Sequence, residues 1–319
     1  MLKRLFEANG QPVSGQQIAD EFGLSRTAIW KYVKDLENSG YQIGSIRKKG
    51  YYLISVPDCV DEANVKKYLT SERFGQRVVY RESCSSTQLI AHEEAQNGAV
   101  DGTVVIAEEQ TSGKGRMSRP WDSAVGKGIW MSLITRPTLT PQQAPQMTLV
   151  AAVAVTRAIE EVVGIEPSIK WPNDLLVDGK KVTGILTELQ ADPDRVKAII
   201  LGIGINVNQS EEDFSEALTP IATSLKIASG KTVNRGKLIA KTLEYLEYYT
   251  DLYVAHGFSP IKLIWEGYSN TIGQRIRAVM FNETIEGIAL GITEEGMLNL
   301  KLDDGSIRGI FSADIHFQS

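Results

Sequence analysis

Residues 110–121 gather the side chains with the clearest chemical purpose. Gln110, Gly113, Lys114, Gly115, Arg116, Arg119 and Trp121 fall in one short loop after an apolar strand expected at residues 103–107. Glycine lets a backbone approach a ligand closely and expose its N–H groups, and three cations supply charge for a carboxylate or a phosphate. The loop is a candidate anion clamp, although a solvated basic loop would look alike in isolation. Other chemistries are poorly served. His92, His256 and His316 are scattered without a matching Ser or Cys, which argues against a hydrolytic triad. Gly202-Ile203-Gly204 lacks the third glycine and the helix start of a dinucleotide site. Cys59 and Cys84 show no metal-ligand spacing and read as reduced bystanders.

The elements that position this loop follow from periodicity. Strands are expected at residues 78–80, 103–107, 129–134 and 196–202, and a hairpin at 175–182 turns on Asp178-Gly179. Helical periodicity runs over residues 145–163 and 234–256, long enough to cover one sheet face. Strands and helices do not alternate regularly, so an α+β domain is expected rather than a doubly wound one. The last fifty or so residues read as short strands of a small β-barrel.

The first 57 residues predict a winged helix-turn-helix. Ser14 caps a helix whose apolar positions are Ile18, Ala19 and Phe22, Gly23-Leu24 breaks it, and Ser25 caps a second. In that second helix Ile29, Val33 and Leu36 form the buried stripe, leaving Arg26, Thr27, Trp30, Lys31 and Lys34 for a major groove. Gln16, Gln17 and Ser25 join that face, and Arg47-Lys48-Lys49-Gly50 forms a basic hairpin tip. The first helix, residues 2–8, is short. The segment holds eight Lys/Arg against five Asp/Glu, a net +3 in a chain of net charge -5, so this end is suited to a polyanion. A linker is expected over 58–72, its start marked by Pro57 and Asp58, with a helix over 61–69. The chain start lacks the apolar core of a signal peptide, and the run 144–155 is too short to span a bilayer. A soluble, cytoplasmic protein with no membrane partner is expected.

Four motifs in order carry a resemblance. Gly113-Lys114-Gly115-Arg116-Met117-Ser118-Arg119, Lys170-Trp171-Pro172-Asn173-Asp174, Lys181-Val182-Thr183-Gly184-Ile185-Leu186-Thr187-Glu188 and Gly202-Ile203-Gly204-Ile205-Asn206 together resemble the biotin protein ligases. With the winged helix the chain resembles their bifunctional ligase and repressor form, along essentially its whole length. The resemblance implies a winged helix over 1–57, a class II synthetase-like mixed sheet with helices over 73–268, and a small SH3-like β-barrel over 269–319. It also implies biotin and ATP as substrates, Mg²⁺, a biotinoyl-5'-AMP intermediate, and transfer to a lysine of a carboxyl carrier domain of acetyl-CoA carboxylase or another biotin-dependent carboxylase. Operator DNA and an adenylate-dependent homodimer complete the expected partners.

Carried over by position, Ser86, Thr87, Gln88 and Gln110 line the ureido end of biotin, and Gly113, Lys114, Gly115 and Arg116 wrap the ligand. Lys181 reaches the carboxylate and the α-phosphate, and Gly202 and Asn206 close the floor. Lys170, Asn173, Arg116, Arg119, Trp121, Lys181 and Asn206 serve the nucleotide, Asp174 serves Mg²⁺ through ATP, and Lys181, Arg116 and Lys170 carry the catalysis. The family usually has aspartate and asparagine where this chain has Ser85 and Gln88, and a further arginine where it has Met117. Two other readings stand beside this one. A lipoate-type ligase shares the fold, and a ligand-sensing repressor needs no ligase activity.

Overall fold

The structure is a computed structural model that describes residues 1–38, 40–55, 58–192 and 195–318. Helix α1 (Leu2–Glu7) precedes α2 (Gly15–Phe22), which begins where Ser14 Oγ accepts from the Gln17 amide. Ser25 Oγ accepts from the Ala28 amide at 3.1 Å at the start of α3 (Arg26–Asn38). Each cap satisfies a first-turn N–H that has no partner within its helix. Leu5, Ile18, Ala19, Ile29 and Val33 close a small core, and Leu36 is half-buried. Phe22, expected among them, is 49 % exposed. Phe22 is the last residue of α2, which ends at the left-handed Gly23, and it is not part of the cluster formed by Ile18, Ala19 and Ile29. Strands β1 (Gln42–Ile46) and β2 (Gly50–Ser55) pair antiparallel as the wing, with Arg47, Lys48 and Lys49 at its tip. Gly50 has φ +120° there, and a Cβ would stand 1.9 Å from the Val13 carbonyl oxygen, so no other residue fits.

The linker start expected at Pro57 lies outside the described residues. From Asp58 onward the chain is fastened to the central domain by Arg235, which is wholly buried. Arg235 donates from Nε to Asp58 Oδ2 (3.0 Å), from Nη1 to Glu108 Oε2 (2.8 Å) and the Gly128 carbonyl (3.1 Å), and from Nη2 to the Asp58 carbonyl. Asp58 also accepts from Asn208 Nδ2 at 2.9 Å. Helix α4 (Glu62–Lys66), capped by Asp61, is shorter than the stretch read from sequence. Tyr41 of the winged helix donates to Asp61 Oδ2 at 3.2 Å and accepts from Asn64 Nδ2 at 2.8 Å. Burial, with Asp61 adding to it, pushes the Cys59 thiol up to about 12, so it stays protonated.

The central sheet is built from β3 (Val78–Cys84), β4 (Thr103–Gln110), β5 (Gly128–Thr135), β6 (Ser168–Lys170), β7 (Asp174–Val177), β8 (Lys180–Ala191) and β9 (Val196–Asn206). Its order is β3-β4-β5-β9-β8-β7-β6, and only β3 and β4 run parallel. This is the mixed α+β arrangement that the irregular element order required. Four strands outrun their expected bounds, so Gln110 and Asn206 are strand ends. Asp178 and Gly179, with φ of 50° and 76°, form the two-residue turn between β7 and β8. Between and after these strands lie α5 (Thr87–Gln96), α6 (Gln146–Val163), α7 (Leu225–Ser229), α8 (Arg235–His256) and α9 (Ser259–Tyr268).

The two sheet faces are covered unequally. On one, α6, α8 and α9 pack over Val104, Ile106, Ile129, Met131, Leu133, Ile199, Leu201, Ile203 and Ile205. On the other, the single short helix α5 covers Val105, Ile134, Ala198 and Ile200 through Ala91 and Ala95. The rest of that face is left for a site. Five antiparallel strands end the chain: β10 (Arg275–Val279), β11 (Thr284–Ile292), β12 (Leu298–Lys301), β13 (Ile307–Ile310) and β14 (Asp314–Phe317). Their order, β13-β12-β11-β10-β14, is an antiparallel sheet that does not close by pairing its two edges. Among the described residues no helix is long and apolar enough to cross a membrane.

The Arg235 node generates the first prediction. Arg235→Met leaves Asp58 and Glu108 without their countercharge, which is expected to cost about 3–5 kcal/mol. Urea unfolding of the full chain checks this as a lowered midpoint, and an unchanged midpoint would show that the node adds no stability.

Candidate active site

The floor of the site is the bare part of the sheet. Along β9 the alternate residues Ala198, Ile200, Gly202, Gly204 and Asn206 share a face, and beyond Ile200 the side chains give way to glycine. Register places Gly202 between Ser132 and Leu186, and Gly204 between Trp130 and Gly184. A Cβ on Gly202 would stand 2.6 Å from Gln88 Oε1, one on Gly204 2.6 Å from Trp121 Nε1, and one on Gly184 2.8 Å from the Trp121 ring. The three glycines thus form a trough that lets side chains lie directly on backbone. Trp121 meets Trp130 edge to face at 6.5 Å between centroids, under Lys181 Nζ at 5.2 Å. Its indole nitrogen is buried with no hydrogen-bond partner.

A buried polar group closes one end. Ser86 caps α5, its Oγ accepting from the Gln88 amide at 3.3 Å. The Thr87 N–H donates to Gln110 Oε1 at 2.8 Å, Gln110 Nε2 donates to Ser123 Oγ at 2.9 Å, and Gln88 Nε2 donates to the Ile200 carbonyl at 3.3 Å. Ser132, wholly buried, stands 2.9 Å from both Thr87 Oγ1 and Gln88 Oε1. The structure therefore brings Ser86, Thr87, Gln88, Gln110 and Gly202 together. Ser123 and Ser132 were missed. The one available signal for Ser132 was a polar residue inside the otherwise apolar strand β5.

The cationic loop folds over the floor as a flap. The Trp121 amide donates to the Gly113 carbonyl at 2.9 Å, and the Gly115 amide to the Arg119 carbonyl at 2.8 Å. Lys114 is exposed and faces Pro120 across an antiparallel bridge. Arg116 donates to Asn173 Oδ1 at 3.0 Å and to Ser312 Oγ at 2.6 Å, and Arg119 is held by the Asp314 carboxylate. Ser312 and Asp314 belong to the carboxy-terminal sheet region and were also missed, because nothing local in sequence ties them to the flap. Lys181 Nζ stands 2.6 Å from Asp174 Oδ1, outside hydrogen-bonding geometry, so the attraction is one of charge. Lys170 Nζ lies 5.4 Å from the Phe317 ring centroid.

Burial holds the Arg116 guanidinium below its usual range, with Asp314 and Asp174 opposing that and Arg119 adding to it. Burial does the same to Lys170, opposed by Asp174 and reinforced by Lys181. Four cations thus crowd around two carboxylates. A cavity of about 160 Å³ opens beside them, lined by Arg116, Trp171, Pro172, Asn173, Phe311 and Ser312 among others. Trp171 packs, 2 % exposed. Asn173 donates to the Ile185 carbonyl at 2.9 Å, and Asn206, on the floor face, accepts from Gln209 rather than meeting the cations. Among the described residues no three His, Cys, Asp or Glu gather as a metal cage.

On the winged helix Gln16, Gln17, Ser25, Arg26, Thr27, Trp30, Lys31, Lys34, Arg47 and Lys48 are all exposed. Gln16 donates to Asp20 at 2.7 Å and Lys34 to Glu37 at 2.6 Å, so these two are engaged along their own helices. Ser25 Oγ is likewise engaged, by the Ala28 amide, and Arg26 and Lys31 on α3 and Arg47 and Lys48 at the wing tip are exposed cations.

A winged helix, a glycine floor under a cationic flap, and a small antiparallel sheet define a DNA-binding ligase layout, and comparison with known proteins agrees. Residues 80–206 match the biotin/lipoate A/B protein ligase family, residues 1–52 an HTH domain, and residues 271–317 the biotin protein ligase C terminal domain. The bifunctional ligase/repressor BirA of Bacillus subtilis is 49% identical over 315 residues, covering 99% of this chain and 97% of that one. The biotin–[acetyl-CoA-carboxylase] ligase of Mycobacterium tuberculosis is 32% identical over 76% of this chain and 90% of its own. The solved Aquifex aeolicus biotin protein ligase in complex with biotin and ATP superposes with a TM-score of 0.66 at 29% identity, covering 76% of this chain and 99% of that one. The chain belongs to the biotin protein ligase family, in its bifunctional ligase/repressor form.

The glycine floor is testable without any ligand. Gly204→Val is expected to lift Trp121 off β9 and raise acrylamide quenching of the fluorescence that Trp121→Phe removes. Unchanged quenching would contradict the packing described.

Proposed function

We propose that this protein joins biotin to a protein lysine in two steps and represses transcription when its intermediate accumulates. The observation that carries the reading is the joining of a winged helix to a cation-crowded glycine floor in a chain 49% identical to a bifunctional ligase/repressor. In the first step a carboxylate oxygen of biotin bonds to the α-phosphorus of ATP and pyrophosphate leaves. In the second, the ε-amine of an acceptor lysine bonds to the acyl carbon, AMP leaves, and the amine loses a proton. Both substrates are anions, so the protein must offset their repulsion and the charge that grows on the phosphoryl oxygens. No side-chain nucleophile is needed.

In this reading Ser86, Thr87, Gln88 and Gln110 hold the ureido ring, and Gly113, Lys114, Gly115 and Gly202 shape its surroundings. Lys181 exchanges Asp174 for the carboxylate and α-phosphate, as a point charge with rotatable donors can. Arg116 and Lys170 offset phosphoryl charge, while Arg119, Trp121, Asn173 and Asn206 bound the nucleotide. The flap excludes water from the mixed anhydride. Asp174 Oδ1, buried without a hydrogen-bond partner, fits a Mg²⁺ carried by ATP, which binds through one or two carboxylates plus phosphates and offsets phosphate charge. The acceptor is the carboxyl carrier domain of acetyl-CoA carboxylase and other biotin-dependent carboxylases, and the site of action is the cytoplasm. Repression follows by linkage: adenylate orders the flap, order favours a homodimer, and two winged helices meet a palindromic operator through Arg26, Thr27, Trp30, Lys31, Arg47 and Lys48.

Pyrophosphate release on adding biotin and ATP tests the chemistry. Lys181→Ala is expected to slow it by about 10²-fold or more. The buried Lys170 loses its proton below the ordinary lysine range, so the rate falls on the alkaline side, and Lys170→Arg moves that limb to higher pH. No pyrophosphate release from wild type, or an alkaline limb unmoved by Lys170→Arg, would contradict these assignments. For repression, a mobility-shift titration is expected to show tighter operator binding with biotin plus ATP than with either alone. Equal affinity in all three would remove the linkage.

A further inference from the structure

Trp30 differs from the other four tryptophans of the chain. Trp130, Trp171 and Trp265 are buried and Trp121 lies half-buried on the glycine floor, whereas Trp30 is 54 % exposed. Among the described residues no aromatic ring meets it, no cation lies over it and its indole N–H finds no acceptor. A large apolar ring held in water forgoes the stabilisation that burial would bring, and an exposed tryptophan of this kind marks a contact surface.

The neighbours of the ring decide what partner fits. Helix α3 turns Ile29 and Val33 inward. Three or four residues from Trp30 along the helix stand Arg26, Thr27 and Lys34, all exposed, and Lys31 follows it directly. Arg47 and Lys48 add two exposed cations at the wing tip. Lys34 is paired with Glu37, but Arg26, Lys31, Arg47 and Lys48 have no ion pair among the described residues. Tyr32, the other exposed aromatic residue of α3, stands two positions on and faces another way. Trp30 is therefore a single apolar ring set among cations, without the apolar surround that forms the centre of a protein interface. A DNA duplex offers the complementary pattern. Its phosphates take the cations, and its major groove, wide enough for a helix, displays polar base edges and one apolar group, the C5-methyl of thymine.

We infer that Trp30 is a specificity-determining residue that reads thymine by its methyl group, its ring covering one C5-methyl in each operator half-site while the surrounding cations fix the register on phosphate. This rests on the repressor reading of the winged helix, and it names the chemical group in the DNA that the helix selects. An apolar contact releases no counterions, so the preference for thymine is independent of salt even though the affinity, carried by phosphate contacts, falls as salt rises.

The test uses the full chain with biotin and ATP and a duplex that it selects from a random pool. Each thymine is replaced in turn by deoxyuridine, which removes one methyl and leaves the base pair intact. For wild type one thymine per half-site is expected to matter, each replacement weakening binding roughly fourfold, the scale of one buried methylene, with the same ratio at low and high salt. Trp30→Ala, measured at low salt where phosphate contacts keep it bound, is expected to bind thymine and uracil duplexes equally. Wild type indifferent to every replacement, or Trp30→Ala keeping the wild-type ratio, would overturn the inference. A second measurement needs no change in the protein. With 5-bromodeoxyuridine at the sensitive position, ultraviolet crosslinking is expected to attach the peptide that contains Trp30, and attachment of a different peptide would contradict the contact. A wild type that selects no duplex would overturn the repressor reading and this inference together, whereas a selected duplex with no methyl-sensitive thymine overturns the inference alone.

Discussion

The arrangement of this site depends on holding like charges close together. Lys170, Lys181, Arg116 and Arg119 converge from two strands and a flap, and Asp174 and Asp314 keep them there. Burial weakens the charged state of Arg116 and Lys170, so a cluster of this kind is stable only beside anions. The two carboxylates fill that place in the protein alone. In the function proposed above a carboxylate and a phosphate replace them, which would tie the electrostatics of the fold to the chemistry of adenylation.

Backbone, rather than side chains, lets the ligands approach. One sheet face is packed by three helices and the other by α5 alone, so glycines on β8 and β9 leave a trough instead of a hole. Gln88 and Trp121 show how close a group can come there. The same sheet connects to the linker: Arg235 joins Asp58 to Glu108 at the end of β4 and to Gly128 at the start of β5. Asn208, two residues beyond the floor residue Asn206, also grips Asp58. The candidate site and the segment that carries the winged helix are therefore fastened within a few residues of each other.

What was legible in the sequence followed from local rules. Ser14 and Ser25 caps, the Asp178-Gly179 turn, and the long helices α6 and α8 are local events, and their residues encode them directly. The flap was visible because charge and glycine cluster along the chain, whereas Lys170 and Lys181 were reached only through the resemblance of their motifs. Phe22 was misplaced because its burial depends on what covers it, not on its own spacing. Ser123, Ser132, Ser312 and Asp314 were invisible for a related reason: each acts across strands or between domains, at sequence distances where no motif links them to Gln110, Gln88, Arg116 or Arg119. Gln110 read as loop because the polar residues Glu108, Glu109 and Gln110 continue the β4 ladder past its apolar run, and Asn206 lay beyond the strand read from sequence although Ile203 and Ile205 extend it.

The most direct measurement is a structure determined with biotinoyl-5'-adenylate bound. The account predicts the acyl phosphate over Gly184 and Gly204, with Lys181 Nζ within hydrogen-bond distance of it and drawn away from Asp174. An adenylate bound elsewhere, with Lys181 still against Asp174 and the glycine floor uncovered, would contradict it.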